Sequence, residues 1–234
     1  MSSVRQRLKS AARRLYGFWL RHGRGSGVAI SGDNHRVLWN DSCLHRCQVE
    51  VSGENNRLEI GAGAILWNVR IQLTGKNLVC LIGARTRLRG GNFVVTDEGS
   101  RLEIGEATTM TSPVLVAQGG CGVVLGRDCM VAYGSDIRCS DGHSILDAAT
   151  GENLNPASDV VIGNHVWIGI HSQILKGVTI EDHAIVAARS VVTRPVPGGT
   201  IVAGNPARPV RSGVTWDRRR PAGATSPRSV PALT

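Results

Sequence analysis

From residue 162 onward an aliphatic side chain returns at every sixth position: Ile162, Ile168, Ile174, Ile180, Val186 and Val192. A small or compact residue follows each of them four places later, at Val166, Ser172, Val178, Ala184, Ser190 and Val196. This period is neither the 3.6 of an amphipathic helix nor the alternation of a half-buried strand. It predicts a three-sided coil with one short strand and one turn per hexapeptide, the aliphatic column stacked along its inside. Upstream the chain repeats on a longer scale. ISGDNHRVLWN from 30, VSGENNRLEIG from 51, LTGKNLVCLIG from 73, VTDEGSRLEIG from 95 and VAQGGCGVVLG from 116 align beneath one another, their starts 21 or 22 residues apart. Four of the five close on an Ile-Gly or Leu-Gly pair, at 60–61, 82–83, 104–105 and 125–126. One such unit cannot bury its apolar face alone, so the repeats must stack into a solenoid. A circuit of 18 residues, widened to 21 or 22 by longer corners, accommodates both periods.

Composition agrees with a narrow aliphatic interior. Of 234 residues 41% are hydrophobic but only 4% aromatic, and 29 are glycine, which disfavours aromatic-rich sandwiches and most open α/β enzymes. The net charge of +9 sits at the ends: residues 1–25 carry +7 and residues 212–234 carry +3, leaving the body at −1. A neutral body with basic ends argues against a nucleic-acid-binding core. Of six cysteines only Cys43 and Cys47 form a short pair, so we read them all as reduced and mostly buried. No apolar run is long enough to span a bilayer, and the N-terminus lacks the pattern of a secretory signal, which points to the cytoplasm. Val4, Leu8, Ala11, Leu15, Phe18 and Trp19 recur at helical spacing opposite basic residues, which predicts a basic amphipathic helix within 1–27. Such a helix either lies on the inner face of an anionic membrane or, our preferred reading, caps the open end of the solenoid. The Pro, Ser and Arg content of 212–234 predicts a disordered tail.

The coil pattern over roughly 28–211 resembles the left-handed parallel β-helix of the hexapeptide-repeat acyltransferases. The stretch IVAGNPARPVR at 201–211 is similar to that family's closing motif. DGHSI, TGENLN and VIGNHVWIG are similar to its capsule and exopolysaccharide O-acetyltransferase branch. The resemblance implies an all-β left-handed parallel β-helix with a short N-terminal helix and an extended C-terminal tail. The handedness comes from the resemblance, since spacing carries no hand and parallel crossovers are usually right-handed.

The repeat breaks once. From Leu125-Gly126 to Ile162-Gly163 is 37 residues where 21 or 22 would serve, so a polar loop over 141–159 leaves the coil. It holds Asp141, Gly142, His143, Ser144, Asp147, Thr150, Gly151, Glu152 and Asn155. On spacing alone His143 reads as an exposed loop histidine. The resemblance implies that it is the general base of acyl transfer, a task that suits an imidazole titrating near neutrality. Asp141 would orient its ring or steady the imidazolium, a role that a backbone carbonyl could also fill. Trp167, at the last place of its hexapeptide, is expected at an outward corner, to stack on donor or acceptor or to offer its indole N–H to the oxyanion. Packing between neighbouring chains is its other reading, and the better one for Trp39 and Trp67.

An acyl-CoA donor needs a shallow groove for its pantetheine arm and cations for its phosphates. Gly169, Ala187 and Ala188 would supply the first, and Arg189, Arg194, Arg208 and Arg211 the second. Arg189 and Arg194 depart from the glycine or asparagine and the lysine usual in the family. His143, His165 and His171 lack the spacing of the zinc-binding carbonic anhydrases of the same fold, and no metal is expected; His171 and His183 read as solvent-facing corner residues. The resemblance thus implies an O-acetyltransferase that moves acetyl from acetyl-CoA to a saccharide hydroxyl by direct attack. It would work as a homotrimer, its site between one subunit's His143 loop and the neighbour's coil. An N-acyltransferase acting on an amino sugar or small amine, and a noncatalytic β-helix scaffold, are the alternatives.

Overall fold

The structure, a computed structural model, describes residues 25–219. The expected helix within 1–27 therefore lies outside the described residues except for its last three positions. From Gly27 the chain climbs through three faces in fixed order. Gly27–Asp33, Arg36–Trp39 and Cys43–His45 make the first circuit, and Gln48–Glu54, Arg57–Ile60 and Ile65–Trp67 the second. The first, second and third faces become sheets of eight, seven and nine strands. Among the described residues every strand pairing between circuits is parallel, and the closing hairpin, Thr200–Gly204 with Ala207–Ser212, is antiparallel.

The register carries the sequence repeat directly into packing. On the first face Val49, Ile71, Phe93, Leu115, Ile137, Ile174 and Val192 stand in one column. On the third face Leu44, Leu66, Leu88, Met110, Val131, Ile168, Val186 and Val202 do the same. Residues of both columns are buried, as are the compact hexapeptide partners from Val166 to Val196. Burying each large aliphatic side chain is worth roughly 1.5–3 kcal/mol, which is how strands of two or three residues persist. The buried hydroxyls of Ser172 and Ser190 both donate to the Ala187 carbonyl, at 2.9 and 2.7 Å.

Corners explain the glycines and several of the histidines. A Cβ on Gly105 would lie 2.3 Å from the backbone of Gly126 on the next circuit, so the Ile-Gly and Leu-Gly pairs mark where backbones stack too closely for a side chain. His165, His171, His183, Asp128 and Arg189 occupy left-handed corner positions with φ of 53° to 64°. His and Asp are enriched there among non-glycine residues, so backbone geometry alone accounts for histidine at such places.

Cys47, Cys80, Cys121, Cys129 and Cys139 are free thiols, and Cys47, Cys80, Cys129 and Cys139 are buried, as expected. Burial pushes the Cys80 thiol up to about 12 and that of Cys129 up to about 11, which keeps them protonated core residues. No helix among the described residues is long and apolar enough to cross a membrane.

The expectation of a disordered tail is corrected for its first part. Residues 213–219 lie along the corner between the second and third faces. Trp216 is only 7% exposed, Val214 donates its amide to the Gly199 carbonyl, and Arg218 reaches Asp128 and Thr109. One large ring and one guanidinium find ready-made partners on the coil, which outweighs the composition of the segment. Residues 220–234 lie outside the described residues.

Candidate functional site

The inserted loop occupies 139–159, leaving after Asp136–Arg138 on the first face and rejoining at Val160–Ile162 on the second. The Ser158 amide donates to the Cys139 carbonyl at 2.9 Å and closes its neck. Beyond the neck the loop folds as a small antiparallel hairpin: Leu154 N–H donates to Ile145 O, and Asp147 N–H to Glu152 O. Asn155 staples it. Its Oδ1 accepts from the Ile145 amide (2.5 Å), and its Nδ2 donates to Asp141 Oδ2 (2.7 Å) and to the His143 carbonyl (2.9 Å). Lys176, on the next circuit, donates to Asp141 Oδ2 (2.5 Å) and to the Asn155 carbonyl (2.9 Å), tying the hairpin to the coil.

This arrangement holds the backbone of His143 and leaves its ring in solvent, hydrogen-bonded to none of the described residues. An exposed imidazole on a fixed backbone suits proton transfer with an incoming hydroxyl. The expectation that Asp141 orients the ring is corrected. The Lys176 ammonium and then the Asn155 amide engage the Asp141 carboxylate and hold it below its ordinary pKa, so it fastens the loop and reaches His143 only through the main chain. Three aliphatic side chains on the same hairpin, Ile145, Leu146 and Leu154, are 56–58% exposed.

Trp167 is in a strand, Trp167–Ile168 on the third face, rather than at the expected corner. It points outward, 38% exposed. The loop leaves the corner between the first and second faces, and in a three-sided coil the third face lies opposite that corner, so His143 and Trp167 do not converge within one chain. Gly169, Ala187, Ala188 and Arg189 line the edge where the third face turns into the first. A Cβ on Gly169 would meet the Ala188 amide nitrogen at 2.6 Å, so coil stacking by itself demands glycine there. Arg194 lies after Val191–Val192, at the corner that carries the His143 loop, while Arg208 and Arg211 belong to the closing hairpin. The donor candidates thus divide between an edge, a corner and a hairpin. His143, His165 and His171 are likewise on three different corners of the chain and do not converge. Trp67 is 49% exposed beside His45, with ring centroids 5.3 Å apart, and Trp39 packs on the core.

The most densely bonded polar cluster went unnoticed in the sequence. His165 Nδ1 is 2.6 Å from Asp128 Oδ2, and its Nε2 is 2.9 Å from the Trp216 carbonyl. Both partners are acceptors, so whichever ring nitrogen carries a hydrogen donates to the partner it faces. The Trp216 ring stacks on His165 at 4.2 Å and 8°, and its Nε1 donates to the His165 carbonyl at 2.7 Å. Arg218 lies 5.1 Å from the Trp216 ring centroid and donates to Asp128 Oδ1 at 2.8 Å. Burial pushes the Asp128 pKa up, but the hydrogen bonds from His165 and Arg218 outweigh it, and the net shift is downward. The NHVWIG segment and the lone Trp216 were the available signals, but nothing in the spacing links them.

The solenoid and its inserted loop define the class: a hexapeptide-repeat parallel β-helix. The family described as bacterial transferase hexapeptide (six repeats) matches residues 159–194. Polysialic acid O-acetyltransferase of Escherichia coli O1:K1 / APEC is 34% identical over 125 residues, which are 53% of this chain and 41% of that protein. The Neisseria meningitidis polysialic acid O-acetyltransferase is 36% identical over 137 residues, 58% of this chain and 63% of that protein. These alignments thus span about half the length of the curated relatives. A crystal structure of the polysialic acid O-acetyltransferase OatWY superposes with a TM-score of 0.78 at 29% identity, covering 83% of this chain and 92% of that one. The resemblance read from the sequence is borne out, and the coil is the left-handed β-helix it implied.

Proposed function

We propose that this protein is an O-acetyltransferase that moves acetyl from acetyl-CoA to a hydroxyl of a capsular or other surface saccharide. The observation that carries the reading is the structural match to a polysialic acid O-acetyltransferase over 92% of that protein. The inserted loop and its solvent-exposed His143 supply the chemistry. In this mechanism a His143 ring nitrogen takes the hydroxyl proton as the sugar oxygen attacks the thioester carbonyl. The new C–O bond forms, the C–S bond breaks, and the CoA thiolate leaves to take up the proton from the imidazolium. Trp167 or a backbone N–H steadies the oxyanion, and no acyl group is carried on the enzyme.

Because His143 and Trp167 lie on opposite sides of one coil, the reading requires neighbouring chains. A homotrimer sets one subunit's loop against the next subunit's third face and its edge of Gly169, Ala187, Ala188 and Arg189. The exposed Ile145, Leu146 and Leu154 give that contact an apolar component. In this reading the small residues of the edge leave room for a pantetheine arm, and Arg189 on the same edge supplies a cation for its phosphates. The reaction would run in the cytoplasm, where acetyl-CoA is held.

The test is CoA release from acetyl-CoA with polysialic acid as the first acceptor, on protein of measured oligomeric mass. We expect an acetyl product labile to mild alkali, which marks an ester, and its absence with His143→Ala. A well-folded trimer that neither binds acetyl-CoA nor releases CoA overturns the reading, and an alkali-stable amide product replaces O-transfer by N-transfer. Ping-pong kinetics would overturn direct attack.

A further inference from the structure

We propose that Trp216 is a positioning residue for the Trp167 indole; its consequence for catalysis rests on the acetyltransferase reading above. Within the coil little restrains Trp167. Its strand is two residues long, Ile168 points inward, and the register neighbours of Trp167 are Met130 and Ile185, which offer no ring to pack on. Among the described residues the one aromatic ring in contact with it is that of Trp216, with centroids 6.2 Å apart and planes tilted by 55°.

Trp216 is itself fixed from several circuits. Val214 holds to Gly199 above it, and the ring stacks on His165 and donates to that residue's carbonyl. Arg218, two residues on, donates to Asp128 Oδ1, the Cys129 carbonyl (2.9 Å) and Thr109 Oγ1 (2.7 Å) on circuits below. Ordering such a segment costs about 1–2 kcal/mol per residue. The interior columns do not need it, since Ile168, Val186 and Val131 are buried by their neighbours in the stack. What the strap adds is an indole wall beside Trp167, made from a residue 51 positions downstream of His165 and stacked on that corner.

An indole held in one orientation can place its N–H or its face for the transition state alone, so losing the wall should lower kcat and kcat/KM together and leave the acetyl-CoA KM nearly unchanged. The experiment compares full-length Trp216→Ala, Trp216→Phe and Arg218→Ala. It measures kcat and KM for acetyl-CoA, oligomeric mass, and Trp167 fluorescence anisotropy in backgrounds with Trp19, Trp39 and Trp67 changed to Phe. Trp216→Ala is expected to lose about tenfold in kcat, with KM within about twofold and the mass unchanged. Arg218→Ala, which frees the strap without removing its ring, should follow in the same direction and carries the test if Trp216→Ala fails to fold. Trp216→Phe keeps a ring against His165 and should retain kcat within about threefold. With Phe at 216, Trp167 is the only tryptophan left, and adding Arg218→Ala to that protein should lower its anisotropy.

The proposal is overturned if Trp216→Ala and Arg218→Ala keep wild-type kcat, if Trp216→Phe is as impaired as Trp216→Ala, or if activity is lost only together with the oligomer. Should the wild-type protein transfer no acetyl group, the acetyltransferase reading falls. The anisotropy comparison then still decides whether the strap holds the indole.

Discussion

Two polar segments are fastened to the coil, and they are fastened in opposite ways. The hairpin within the loop over 139–159 is held mainly by itself: Asn155 reaches back 10 residues to Ile145 and 14 to Asp141, Lys176 ties it to the next circuit, and only at its base does the loop bond to the coil over long spans, where Asp159 accepts from Arg101 and from the Gly122 amide. The strap over 213–219 has bonds that span 51 residues to His165 and 90 to Asp128, and it buries its tryptophan. The loop ends with its histidine in solvent; the strap ends with its aromatic ring against a neighbour. In the reading proposed above, the solenoid uses one segment to present the His143 ring and the other to restrain the Trp167 indole.

Changes at single residues should separate these roles. The largest effect is expected from His143→Ala, with kcat down by about 10²–10⁴ and no change in melting temperature, because the ring bonds to none of the described residues. A fall in melting temperature of several degrees would show that the ring is part of the loop's scaffold and would blur the contrast with the strap. The tenfold loss expected from Trp216→Ala comes next. Lys176→Met follows: it removes the tie between hairpin and coil, leaves the internal bonds of Asn155 intact, and should lower kcat/KM by about fivefold, on the order of 1 kcal/mol. If it matched His143→Ala instead, the loop would depend on the coil as fully as the strap does.

The coil was legible because its cause is local and repeated. A column such as Leu44, Leu66, Leu88, Met110 and Val131 needs one aliphatic residue per circuit, and the chain writes it once per repeat. The loop was legible as an interruption of that period, although not the bonds of Asn155 and Lys176, whose partners depend on how the hairpin closes. Trp167 was placed at a corner because hexapeptide counting does not distinguish the first residue of a two-residue strand from the turn before it. The strap could not be read at all. Trp216 stands once, in a Pro- and Arg-rich segment without period, and its partners become neighbours only after several circuits have been stacked.

Acid offers the mildest way to set the two segments against each other. The Lys176 and Asn155 side chains lower the Asp141 pKa, so its folded value lies below its unfolded one. The stabilisation it gives the loop is thus complete above the ordinary carboxylate range and is lost as pH falls through the lowered value. Asp128 in the strap has the same sign, since the bonds from His165 and Arg218 prevail over burial. The two should nevertheless respond differently. Protonating Asp141 weakens the acceptor that Lys176 and Asn155 share and leaves each of them a single carbonyl, that of Asn155 and that of His143, whereas Arg218 keeps three acceptors that do not titrate, Thr109 Oγ1 and the Asp128 and Cys129 carbonyls. Hydrogen exchange on acidification should therefore show the Ile145 amide losing protection while the Val214 amide keeps it. Asp141→Asn should flatten the Ile145 profile without touching that of Val214. Simultaneous loss at both amides would mean that loop and strap open as one unit, and the division of labour between them would not hold.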